Sequence, residues 1–142
     1  MNVEVNYLAV LVAAIAAMIV GFVYYSPYVM GKPWMKERGY TPEKLKGMQK
    51  EMGKWYALSF VAALITGYIL FHIITLSLNF YHYSNEMTGI ITAFWVWLGF
   101  LMPVQLTATI FSDNKNFKLF AMDTFHQLLS IVAMGAVIGL MI

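Results

Sequence analysis

The chain has 142 residues, 61% of them hydrophobic, 16% aromatic and only 11% charged, with a formal net charge of +2. Soluble domains carry about 25% charged residues, and a fold of this size cannot hide so much apolar surface, so a water-soluble protein is excluded and an integral membrane protein is expected. Cysteine is absent, which excludes disulfides and thiol chemistry and leaves the redox compartment unread.

Residues 5–31, 55–85 and 87–112 carry no charge, and 119–142 carries only Asp123. Each run exceeds the roughly 20 residues that a helix needs to cross about 30 Å of hydrocarbon. None alternates in polarity as a barrel strand would. The expectation is an all-α membrane protein forming a single transmembrane domain over 1–142, with helices at about 5–30, 55–80, 87–111 and 117–142. Short links make consecutive helices antiparallel neighbours in an up-down bundle.

The first run has no Lys or Arg before Lys32 and is longer than the apolar region of a signal peptide, so it reads as a retained helix. Ala9, Ala13, Ala17 and Gly21 repeat along it at every fourth residue. Such a small-residue stripe suits close helix packing, either inside the chain or between copies in a homo-oligomer. Pro27 closes this helix, Ser26 can bond its freed backbone, and Tyr24, Tyr25, Tyr28 and Trp34 read as interfacial anchors. Gly31 and Pro33 are expected to stop any helical continuation.

The connection 31–54 carries seven of the nine basic residues, and Lys115 and Lys118 carry the rest. All nine fall on one side of a four-helix topology, so that side is expected to be cytoplasmic, with both termini outside the inner membrane. Within the connection, Thr41 is a candidate N-cap and Pro42 the first helical residue. Leu45, Met48, Met52 and Trp55 then recur at helical spacing, which predicts a short amphipathic cytoplasmic helix running into the second span.

The second span carries a polar stripe, Tyr68, His72, Thr75 and Asn79, on one face, and Ser59 nearer its start. The third carries Gln105 and Thr109 one turn apart, with Pro103 freeing the carbonyl of Gly99. The fourth begins with Asp123, His126 and Gln127 on neighbouring faces and ends with the GxxxG pair Gly135 and Gly139.

A carboxylate near the membrane centre costs roughly 2.5–3.5 kcal/mol, so Asp123 is expected to face protein rather than lipid. Residues of matching depth on antiparallel helices can satisfy it. They define a candidate polar cluster of Tyr24, Tyr25, Gln105, Thr109, Asp123, His126 and Gln127. This cluster suits a hydrogen-bonded clasp, a proton or ion relay, or a small-ligand site. Ala13, Ala17, Gly21, Gly135 and Gly139 are the candidate helix-packing residues.

The stretches GFVYYSPYVMGKPWMKERG (21–39), AFWVWLGFLMP (93–103) and NFKLFAMDTFHQLLSIVAMGAVIGLMI (116–142) resemble the small prokaryotic membrane proteins of domain-of-unknown-function family 1761. That family usually has Trp-Tyr-Ser-Pro where this chain has Tyr24-Tyr25-Ser26-Pro27, and a Phe-Gly-Lys-like step where it has Met30-Gly31-Lys32. The resemblance implies four transmembrane helices and no established activity, so it brings no catalytic residues.

No HExxH, CxxC, GxSxG, Walker A or GxGxxG motif occurs, and His72, His82 and His126 are too far apart in sequence to suggest a metal site. No cofactor and no nucleic-acid partner are expected, since topology explains the basic residues. The lipid bilayer is the expected partner; a small-molecule or ion ligand is left open. The leading functional expectation is a small, oligomeric transport or permeation component built on the polar cluster. A non-catalytic membrane scaffold or accessory subunit is the alternative, and a membrane enzyme ranks third.

Overall fold

The computed structural model describes residues 3–142, and among them every regular element is helical. In chain order these are α1 (Tyr7–Tyr24), α2 (Gly31–Arg38), α3 (Pro42–Gln49), α4 (Met52–Ser77), α5 (Asn85–Ile110) and α6 (Phe117–Met141). Four of them, α1, α4, α5 and α6, are long and apolar enough to cross a membrane. Their ends follow ordinary capping chemistry. Asn6, Thr41, Ser84 and Asn116 each accept a backbone N–H of the first turn of α1, α3, α5 and α6.

α1 ends at Tyr24, earlier than the expected residue 30, because the Ser26-Pro27 turn intervenes. Ser26 Oγ donates to the Val23 carbonyl at 2.7 Å, and the Met30 N–H returns to the Tyr24 carbonyl at 2.9 Å. A helix then restarts where a stop was expected. Gly31 opens α2, and Pro33 lies in its first turn, where a missing N–H costs nothing because first-turn N–H groups have no intrahelical partner. Gly31 is needed for another reason: a Cβ there would collide with the carbonyl of Tyr25 and sit 2.7 Å from that of Ser26. α2 ends on Gly39, whose φ of +68° is left-handed. The connection thus holds two eight-residue helices where one short helix was expected, and α3 stops at Gln49 before α4 begins. α4 begins at Met52, three residues before the expected start.

α5 contains one π-helical turn, Trp97–Leu101, in which the Met102 N–H reaches back to the Trp97 carbonyl. Pro103 follows it. Proline cannot donate to the carbonyl four residues back and its ring crowds that oxygen, and a wider turn relieves both problems.

The long helices pack tightly over only part of their length. At the closely packed end the buried residues are Ala9, Val10, Ala13 and Ala14 on α1, and Gly67, Leu70, Phe71 and Ile74 on α4. They meet Thr88, Gly89, Thr92 and Ala93 of α5 and Ile131, Met134, Gly135, Ile138 and Gly139 of α6. The Asn6 side chain donates to the Met141 carbonyl at this end, at 3.1 Å.

The GxxxG pair works inside the chain. A Cβ on Gly135 would strike the Gly89 carbonyl and lie 2.7 Å from Ala93 Cβ; one on Gly139 would strike Asn85. Backbone of α5 and backbone of α6 are therefore in contact, as small residues permit. Gly135 and Gly139 are spent on that seam, which removes them as a grip for a second copy. Ala13 is fully buried by α4 and α6, while Ala17 and Gly21 lie partly exposed further along α1.

Candidate functional site

At the other end, α4 separates from its neighbours: no residue from Met52 to Thr66 is buried. Between it and α1, α2, α3, Gln105 of α5 and α6 lies a cavity of about 860 Å³. Its walls are apolar, aromatic and sulfur-bearing: Phe22, Tyr40, Tyr56, Met18, Met35, Met48 and Met52 among them. Its polar side holds Tyr25, Trp34, Arg38, Ser59, Gln105, Asp123, His126, Gln127 and Ser130.

Asp123 is the hub. Tyr25 donates its hydroxyl to Oδ1 at 2.8 Å, Trp34 donates its indole N–H to the same oxygen at 2.8 Å, and Arg38 reaches Oδ2 at 3.2 Å. Local structure explains the convergence. Tyr25 caps the C-terminus of α1, and the turn at Ser26-Pro27 brings α2 back across the start of α6. Trp34 and Arg38, one helical turn apart, then share a face of α2. A second tie fixes α2 in place: Lys118 Nζ lies 3.0 Å from Glu37, and Asn116 Nδ2 donates to the same carboxylate at 3.0 Å. The Asn116 hydrogen bond, and then that from Lys118, hold the Glu37 carboxyl below the usual carboxylate range.

His126 lies under the tyrosines, its ring centroid 4.7 Å from that of Tyr25 and 5.4 Å from that of Tyr24. Its Nε2 shares a 3.2 Å hydrogen bond with Ser130 Oγ. Among the described residues, Gln105 Oε1 and Gln127 Oε1 are buried with no hydrogen-bond partner. The hydroxyls of Thr88, Thr92 and Thr124 are likewise buried and unpaired, but of these five groups only the two glutamines line the cavity.

Of the seven candidate cluster residues, the fold brings Tyr25, Gln105, Asp123, His126 and Gln127 to the cavity. Tyr24 stands behind it, buried, and donates to the Met122 carbonyl at 2.8 Å. Thr109 does not join: its hydroxyl bonds back to the Gln105 carbonyl on its own helix at 2.9 Å. The polar stripe on α4 is equally local, with His72, Thr75 and Asn79 bonding carbonyls of α4 itself. Sequence reading missed Trp34 and Arg38 as site residues. Their signal was present: Arg38 is the one arginine in the chain, placed a helical turn after a tryptophan. Among the described residues no three His, Cys, Asp or Glu side chains could hold a metal ion together.

Fold and site together define a class: a small helical protein with four membrane-length helices, tightly packed at one end and opened at the other around a carboxylate-centred cavity. The chain belongs to the family described as protein of unknown function (DUF1761), whose model matches residues 8–139. No curated protein and no solved structure matches it.

Proposed function

We propose that the protein is a transport or permeation component of the cytoplasmic membrane, and that its solute occupies the cavity beside Asp123. The observation that carries this reading is the cavity itself. At about 860 Å³ it has the size of sites that enclose a small organic molecule, and it pairs apolar walls with a few convergent polar groups. A structural clasp would require Asp123 and its donors but no open space.

In this reading α1, α4, α5 and α6 cross the bilayer in alternating directions, with both chain ends outside. The lysines of α2 and α3 lie at the cytoplasmic surface, so the cavity opens toward the cytoplasmic leaflet. Cysteines at Gln49 and His82 test the arrangement. An impermeant thiol reagent added to intact cells should label H82C and spare Q49C; the reverse pattern would invert the topology.

The function is tested in proteoliposomes loaded with a cationic, a neutral and an anionic fluorescent solute. Release of at least one should depend on the protein and stop in Ala63→Trp, which fills the cavity from α4. Release that is absent for all three, or indifferent to Ala63→Trp, would sink the proposal.

A further inference from the structure

The two oxygens of Asp123 are held unequally. Oδ1 accepts from Tyr25 and Trp34, both at 2.8 Å, whereas Oδ2 is met by Arg38 alone, at 3.2 Å. The Arg38 guanidinium carbon also lies 5.2 Å from the Trp34 ring centroid. Arg38 thus sits where a carboxylate oxygen and an indole face converge. Those two attractions, one coulombic and one from the ring quadrupole, are the ones that select an organic cation.

Arg38 is also a replaceable occupant. Its side chain is 41% exposed, against 16% for Asp123. It is the last residue of an eight-residue helix and precedes the left-handed Gly39, so it can swing away without disturbing the Tyr25 and Trp34 bonds. Half-exposed ion pairs and exposed cation–π contacts are each weak, so displacement by a better-desolvated cation is inexpensive.

The surrounding walls favour the same charge. Tyr25 and Tyr40 flank Trp34, with centroids 5.0 and 5.6 Å away, and Phe22 and Tyr56 form a second pair at 5.1 Å. All five rings line the cavity, and the Trp34 face already receives a cation. The methionines add polarizable, adaptable surface. Of the described lining residues Asp123 is the one carboxylate, so a singly charged ligand is matched. An anion would need Arg38 but would enter beside the Asp123 carboxylate, which Tyr25 and Trp34 hold in the lining.

We infer that the cavity takes a hydrophobic organic monocation whose charged centre replaces the Arg38 guanidinium at Asp123 Oδ2 and over Trp34. This deepens, and rests on, the reading of the cavity as a solute site.

The test is equilibrium dialysis of the full chain in mild detergent against tetraphenylphosphonium and tetraphenylborate, ions of one shape and opposite charge, with empty micelles as baseline. Tetraphenylphosphonium should bind saturably. Asp123→Asn should weaken it at least about tenfold, the effect of losing a charge partner in a partly desolvated site. Arg38→Gln should tighten it about threefold to tenfold by removing the competitor, and should give no gain in the Asp123→Asn background. The opposite signs separate this proposal from a structural role, in which both substitutions would weaken binding. Weaker binding in Arg38→Gln, or saturable tetraphenylborate binding as tight as the cation's, would overturn it. If tetraphenylborate binds as tightly as the cation and Ala63→Trp abolishes that binding, the cation inference falls while the solute-site reading stands. If folded, monodisperse wild type binds neither ion, the cation inference falls and the solute-site reading rests on protein-dependent release of the neutral solute alone.

Discussion

Gly135 and Gly21 occupy similar places, each on a long helix facing a neighbour, yet they meet different things. A Cβ on Gly135 would run into the backbone of α5, whereas one on Gly21 would meet only the His126 imidazole, at 3.3 Å. Backbone cannot yield, but a side chain can turn. The comparison extends to the two ends of the molecule. One end holds Ala9, Ala13, Gly67, Gly89, Gly135 and Gly139, small residues that draw four helices into contact. The other places rings, thioethers and amides around open space. Close packing there would have been easy with alanine and leucine. The side chains around the open space instead indicate that the rigid end holds the helices so that the open end can stay open.

The sharpest way to break this contrast is to insert bulk at the rigid end. Gly135→Leu should cost about 3 kcal/mol or more, because two backbones must separate. Gly21→Ala should cost less than about 1 kcal/mol, since one ring must shift. Gly99→Leu, with nothing within 4 Å of its Cβ, is the neutral control. Thermal unfolding in detergent, read by circular dichroism, ranks the three. Equal losses for Gly135→Leu and Gly21→Ala would remove the distinction between the ends.

Asp123 comes next. Asp123→Leu strips the acceptor from Tyr25, Trp34 and Arg38 and should cost about 1–3 kcal/mol. Asp123→Asn keeps an oxygen for Tyr25 and Trp34 and should lose under about 1 kcal/mol. The same melts, together with solute release, check this. Asparagine that folds like wild type but releases nothing is the result expected of a working carboxylate.

Smaller again is the effect of the orphaned amides. Gln105→Leu and Gln127→Leu remove buried oxygens that have no partner, so each should be neutral or stabilise by up to about 1 kcal/mol. Protein-dependent solute release should fall in both. A clear loss of stability in either variant would mean that its amide is structural after all.

The smallest effect concerns pH. The Glu37 carboxyl is lowered by Asn116 and Lys118, so it binds protons less readily folded than unfolded. Its contribution is therefore present above the ordinary carboxylate pKa and is lost as pH falls through the lower folded value. Wild type should show a small extra drop in melting temperature on the acid side that Glu37→Gln lacks. Parallel curves for the two proteins would show that the tie between α2 and α6 does not contribute.

Much of this architecture was readable in advance. Long uncharged runs announced four membrane-length helices because lipid-compatible helices need little beyond length and apolarity. Asp123, Gln105, His126 and Gln127 stood out because polarity inside such runs is costly. Tyr25 was found by matching depth along the helix axes. Trp34 and Arg38 escaped because both belong to a region where aromatics and basic residues have a ready explanation as anchors and topology signals. Only the reversal at Ser26-Pro27, which folds α2 back across α6, gives them a second role. Thr109 failed for a different reason: a hydroxyl on a helix can satisfy itself on the carbonyl four residues back, so depth alone did not commit it to a neighbour.

The π-helical turn at Trp97–Leu101 carries a consequence for phase. One surplus residue in a single turn rotates everything before it by roughly 100° relative to everything after. Residues 85–96 present Gly89 and Ala93 to the seam with α6, while Gln105, beyond the turn, reaches the cavity on a different bearing. The turn lets one span serve two azimuths, and Trp97 pins the change of bearing by donating its indole N–H to the Thr124 carbonyl at 3.1 Å. Deleting Gly99 would restore an unbroken 3.6-residue winding and so force a choice: the helix could keep its seam or keep its glutamine at the cavity, but not both.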